Sequence, residues 1–141
     1  MPVHFQIFPH RGFVLARFTG HILLEDCLSS AQAYAAHPDA NPHQNQVIDL
    51  SGMTGYERDF IKMIRTMAQL PDHLLKAGAE PMIIYIASTP VAQEVLGFVI
   101  RSFDGTMPAV VRVTESEEQA LEILGQPERR LADIPARAGA G

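Results

Sequence analysis

The sequence predicts one α/β domain, a mixed, mostly parallel five-stranded sheet with flanking helices, and three observations predict it. Residues 82–87, Met-Ile-Ile-Tyr-Ile-Ala, run apolar without polar alternation, as in a strand covered on both faces. Residues 47–60 start with a short apolar run through Val47, Ile48 and Leu50 and then turn polar, the order of a buried strand that delivers polar groups to its carboxyl end. Around these runs apolar residues recur at helical spacing, and the order ββαβαβαβα calls for right-handed crossovers between parallel strands, with an antiparallel pair near one edge.

Each element has its own signal. Residues 3–8 and 13–18 are β-rich runs separated by Pro9, His10, Arg11 and Gly12, a hairpin composition. From about 22 to 36, Leu24, Cys27, Leu28, Ala31 and Ala35 recur at steps of three and four, which predicts an amphipathic helix. A loop over 37–44 leads to the strand at 47–50. Phe60, Met63, Ile64 and Met67 then form a helical stripe expected to stop at Pro71, whose ring and missing amide proton oppose continuation, with a half-turn closed by Gly78. After the 82–87 strand, Thr89 reads as an N-cap with Pro90 at the first helical position, and Ala92, Leu96, Val99, Ile100 and Phe103 as the buried face. Gly105 and Pro108 break that helix. Residues 110–113 are the last strand, and Thr114-Glu115-Ser116-Glu117 reads as a capping box before a helix through Ala120, Leu121 and Leu124.

Length and composition suit one compact unit. The chain has 141 residues, 47% hydrophobic and 19% charged, enough to bury roughly two thirds of its unfolded surface. The domain is expected over residues 1–125. Residues 126–141, rich in Pro, Gly and Ala, are expected to be a disordered tail. A net charge of −5 argues against a nucleic-acid partner, which needs a dense basic face. One cysteine, Cys27, excludes an internal disulfide and suits a reducing cytoplasm. No run of about 18 apolar residues predicts a transmembrane segment, and the amino terminus lacks the pattern of a signal peptide. Homo-oligomerisation stays open.

The stretch Val-Ile-Asp-Leu-Ser at 47–51, followed by a turn and a helix, resembles the STAS domain of the anti-sigma-factor antagonists, the SpoIIAA-like family. The resemblance covers about residues 3–125 and rests on this motif and on the element order. It implies a non-catalytic regulatory domain that meets another regulatory protein. In that family the turn continues Asp-Ser-Ser-Gly-Leu, and its second serine accepts phosphate. Here the matching positions are Glu57, Arg58, Asp59, Phe60 and Ile61, so the phosphoacceptor falls on Asp59. Regulation must then use Ser51, Thr54 or another device.

Candidate residues follow from chemistry. Asp49, Ser51 and Thr54 place short oxygen side chains where they bind an anion or a partner's backbone, or tie down the turn itself. Asp59 puts one negative charge where phosphate would bring nearly two, and it also complements a helix amino terminus. Arg58, Lys62 and Arg65, at i, i+4 and i+7, suggest a basic docking edge or a plain solvated face. The partner-binding set is therefore Ser51, Thr54, Arg58, Asp59, Lys62 and Arg65. An alternative is a small anionic-ligand or lipid-headgroup module at the strand carboxyl ends, using Ser51, Thr54, Ser88 and Thr89. The six histidines show no metal-ligand spacing, and neither a phosphate loop, a dinucleotide fingerprint nor a nucleophile elbow is present. Neither metal nor cofactor is expected, and no catalytic residue is assigned.

Overall fold

The computed structural model describes residues 2–74, 80–102 and 109–135. Its sheet has the order β1 (Val3–Phe8), β2 (Phe13–Ile22), β3 (Asn45–Tyr56), β4 (Met82–Ile86) and β5 (Val110–Thr114). β1 and β2 are antiparallel, and the next three pairs are parallel. Val47 lies opposite Ile84 and Ile48 opposite Tyr85, so the two apolar runs are neighbours, as expected.

Four helices follow the strands: α1 (Leu24–Ala35), α2 (Phe60–Leu74), α3 (Pro90–Ser102) and α4 (Glu117–Ile123). Each parallel connection advances one strand in the same direction, so crossovers of constant hand put α1, α2 and α3 on one face. The packing agrees. Leu24, Met63, Ala92 and Leu96 of these helices share a core with Leu50, Met53, Ile83 and Tyr85. Ala120 and Leu121 of α4 pack on the other face against Phe13, Leu15, Val47, Ile84 and Ile86. Alternate residues of β4 enter opposite cores, which explains a strand with no polar face.

Several boundaries differ from the sequence reading. β3 does not end in a turn at Ser51 but continues to Tyr56 beside a β2 that itself runs on to Ile22. α1 begins at Leu24, since Ile22 belongs to β2, and its last buried residue is Tyr34 rather than Ala35. α2 passes through Pro71 and ends at Leu74, because proline removes only one intrahelical donor and the remaining turn persists. The amino-terminal box of α4 is shifted by two residues. Thr114 stays in β5 and donates to the Tyr85 carbonyl at 2.9 Å, while Ser116 Oγ accepts from the Gln119 amide at 3.2 Å and Gln119 Oε1 from the Glu115 amide at 2.9 Å. Thr89 caps α3 as expected, accepting from the Ala92 amide at 3.2 Å ahead of Pro90. The expectations at Gly78, Phe103, Gly105 and Pro108 lie outside the described residues.

The expected free tail is the largest difference. A 3-10 turn, Leu131–Asp133, follows α4, and Leu131 and Ile134 are buried in the α4-side core. Glu128 anchors the segment to Arg11 at 2.6 Å, and the Leu131 amide donates to Glu117 Oε1 at 2.8 Å. Two large apolar residues, ten and thirteen positions after Leu121, were enough to cover a face that the short α4 leaves open. The packed unit therefore extends at least to residue 135, and residues 136–141 lie outside the described residues. Truncating Leu131 to alanine should lower unfolding stability in urea by about 2–5 kcal/mol, the usual cost of removing a buried leucine side chain. A change within about 0.5 kcal/mol, typical of an exposed site, would show a free tail instead.

Candidate functional site

Two irregularities in the β2–β3 pairing build the polar end of the sheet. Arg17 pairs with Asp49 and Thr19 with Gly52, then Gly20 with Met53 and His21 with Gly55. β3 thus has one extra residue in each interval, a bulge that moves its side-chain alternation by one place. Leu50, Met53 and Tyr56, three apart, all become buried. Ser51 and Thr54 fall in the unpaired positions and stay at least partly exposed. Glycine suits position 52, since an added Cβ would crowd the Phe18 carbonyl oxygen at 3.1 Å and Thr19 Cγ2 at 3.0 Å.

At that end Ser51 and Ser88 meet, with their hydroxyls 3.0 Å apart, and the Ser51 amide donates to Asp49 Oδ1 at 3.0 Å. Thr89 is used as the α3 cap, and Thr54 is exposed. Arg17, a residue the sequence reading passed over, pairs with Asp49 of this group. Its Nε lies 3.5 Å from Asp49 Oδ2 and its Nη2 3.6 Å from Glu117 Oε1. With two carboxylates around that one guanidinium, the strand end is a poor receptor for an anion.

The segment after β3 is fastened to both neighbouring helices. Glu57 Oε1 accepts from the Leu24 amide at the start of α1 at 3.0 Å, and its Oε2 pairs with Lys62 Nζ at 2.9 Å. Arg58 pairs with Glu94 of α3 at 2.5 Å while lying 4.5 Å over the Tyr56 ring, and the Tyr56 hydroxyl donates to the same Glu94 oxygen at 2.6 Å. Asp59 is the N-cap of α2, accepting from the Lys62 amide at 3.0 Å. Because Arg58 precedes the cap, it is outside the helix and does not share a helical face with Lys62 and Arg65. Two members of the expected basic edge are tied into local ion pairs. Glu57 and Glu94, their partners, gave no signal of that role in the sequence.

What α2 does present is apolar. Met63, Thr66 and Met67 face the core, whereas Phe60, Ile61 and Ile64 are 56%, 67% and 59% exposed. The sequence reading put Phe60 and Ile64 in the buried stripe. With apolar residues at 60, 61, 63, 64 and 67, the helix has more apolar surface than one face can hide, and the clamp on Glu57 and Arg58 selects the Met63–Met67 side. Phe60 lies beside Phe98 of α3, with the rings tilted and their centres 6.1 Å apart. Among the described residues no group of three or more His, Cys, Asp or Glu could hold a metal, and no helix is long and apolar enough to cross a membrane.

The clamp makes a pH prediction. The Leu24 amide and then the Lys62 ammonium hold the Glu57 carboxyl below its ordinary range, and Arg58 and the Tyr56 hydroxyl do the same for Glu94. A depressed folded-state pKa contributes stability above the unfolded value, about 4.5 for these groups, and that contribution is lost as pH falls through the folded values. Glu94 is exposed and Glu57 half-buried, so the effect is small. Urea unfolding of Glu57→Gln with Glu94→Gln should show a deficit near neutral pH that narrows with acid; a deficit constant with pH would refute the clamp. Compared with known proteins, the chain matches no protein-family model and no curated protein.

Proposed function

We propose that the protein is a non-catalytic, STAS-like regulatory domain that binds another regulatory protein through the segment 51–65, in a cytoplasmic setting. The observation that supports this most is the exposed apolar row Phe60, Ile61 and Ile64 on a helix whose start is fixed by the Glu57 hydrogen bond to α1 and the Arg58 ion pair to α3. Large apolar residues at the centre of such a rigid patch, rimmed by charges, are what protein interfaces use as anchors. Arg65, Lys62 and Asp59 form the polar rim and favour a partner with its own apolar ridge and mixed charges. Ser51 and Thr54 border the same segment from the bulges of β3.

The alternative, an anionic-ligand or lipid-headgroup module at Ser51, Thr54, Ser88 and Thr89, has less support. Thr89 is used as a cap, Ser51 and Ser88 hydrogen-bond to each other, and Asp49 and Glu117 surround Arg17.

Replacing Ile61 and Ile64 by glutamate should abolish capture of a regulatory partner from extracts of the native host, with the thermal unfolding midpoint retained, because exposed side chains contribute little to folding. Mass spectrometry would identify the captured protein. Arg58→Glu with Lys62→Glu should weaken capture less, since both cations are engaged within the domain. Capture that survives Ile61→Glu with Ile64→Glu but fails in Ser51→Ala with Ser88→Ala would move the site to the strand ends.

A further inference from the structure

Between the sheet and the layer of α1, α2 and α3 lies a cavity of about 170 Å³. Its walls are almost wholly apolar, built from Leu50, Met53 and Ile83 of the sheet and Met63, Val95 and Phe98 of the helices. An apolar cavity of about 150 Å³ in a protein core takes up a benzene ring. No Asp, Glu, Lys, Arg or His is among the described residues that line it. A charged guest would lose its hydration without gaining a counter-charge.

Among the polar side chains that line this space, which include Ser30, Tyr34 and Tyr56, Gln46 and Tyr85 lie on adjacent strands of the sheet. Gln46 of β3 is 3% exposed and Tyr85 of β4 is 7% exposed, and both line the cavity. The register Gln46↔Ile83 and Ile48↔Tyr85 makes them diagonal neighbours on one sheet face. The Tyr34 hydroxyl donates to Gln44 at 2.6 Å and the Tyr56 hydroxyl to Glu94 at 2.6 Å. No such partner for the Tyr85 hydroxyl or the Gln46 amide exists among the described residues. Arg17 Nε is the one fully occluded side-chain nitrogen or oxygen among the described residues that lacks a hydrogen bond, so the polar atoms of Gln46 and Tyr85 keep some accessible surface, and both residues line the cavity. Buried polar groups are ordinarily hydrogen-bonded, and two on neighbouring strands at an apolar cavity with no partner among the described residues point to a guest that pairs with them. Burial pushes the Tyr85 phenol up to about 12, so it stays a neutral donor and acceptor.

We propose that this cavity is a binding site for a small uncharged phenol, its ring among Leu50, Met53, Met63 and Phe98 and its hydroxyl between Tyr85 and Gln46. The size admits one substituted ring, the walls reject charge, and the two polar groups supply one donor and one acceptor. The site is independent of the outward face of α2, although Met63 and Met67 of that helix close its side.

The test uses p-cresol, toluene and benzoate, with calorimetry for affinity and methionine-methyl NMR for location. The wild-type protein should bind p-cresol one to one, shifting the Met53 and Met63 methyl signals, bind toluene more weakly and leave benzoate unbound. Tyr85→Phe and Gln46→Leu should each weaken p-cresol about tenfold, the usual worth of a buried hydrogen bond, and leave toluene unchanged. Thermal unfolding reports whether each variant folds, and either one suffices for the comparison. Absence of p-cresol binding at millimolar concentration, benzoate binding as tightly as p-cresol, or equal loss of toluene and p-cresol in the folded variants would overturn the site. In the first case the two polar groups are met by water alone.

Discussion

The parallel pairing of β2 with β3 is the constraint on which the rest of the structure depends. Without bulges β3 would alternate strictly, and Leu50, Met53 and Tyr56 could not all face the helices. The two extra residues keep all three inward, extend pairing to the Glu57 amide, which donates to the Ile22 carbonyl at 2.9 Å, and set where α2 starts. That starting point places Glu57 against α1 and Arg58 against α3. The outward row of α2 and the cavity behind it both inherit their positions from the same pairing.

Charge and apolar surface have exchanged the roles that residue type alone suggests. Arg58 and Lys62 serve as fasteners, with Glu94 and Glu57 as their counterparts, and Asp59 is a helix cap. Pairs this exposed contribute little to global stability. Their value is geometric, because each one fixes the rotation of α2 and so decides which of its apolar residues face solvent. Phe60, Ile61 and Ile64 are exposed as a consequence of that choice, not because the helix lacks a core-facing side.

The mostly parallel sheet and the adjacency of its two apolar strands were legible because the apolar runs at 47–50 and 82–87 and the Thr89-Pro90 start are local signals. The bulges were not: Ser51, Gly52, Thr54 and Gly55 have turn composition, and only the long partner strand ending at Ile22 makes them strand. Pro71 was read as a stop because local sterics oppose it, whereas the surrounding helix tolerates one missing donor. Leu131 and Ile134 sit among residues of low complexity, and their burial depends on a face left open by α4 far back in the sheet. At the site, Arg58, Lys62 and Ser51 were singled out from residue type, but their partners Glu94, Glu57 and Ser88 are up to 37 positions away. Spacing along one helix does not report such contacts. The cavity likewise arises from three helices meeting one sheet, an arrangement with no signature in any single segment.

Amide hydrogen exchange across residues 45–59 tests this account most directly. Continued pairing predicts that the amides within 52–57 directed at β2, Glu57 included, exchange on the slow timescale of Val47 and Ile48, with the Ser51 amide, which bonds the Asp49 side chain, faster than these. Exchange of the whole 51–57 segment at the rate of an open loop would mean that β3 ends at Leu50, and the placement of α2, its exposed row and the cavity would fall with it.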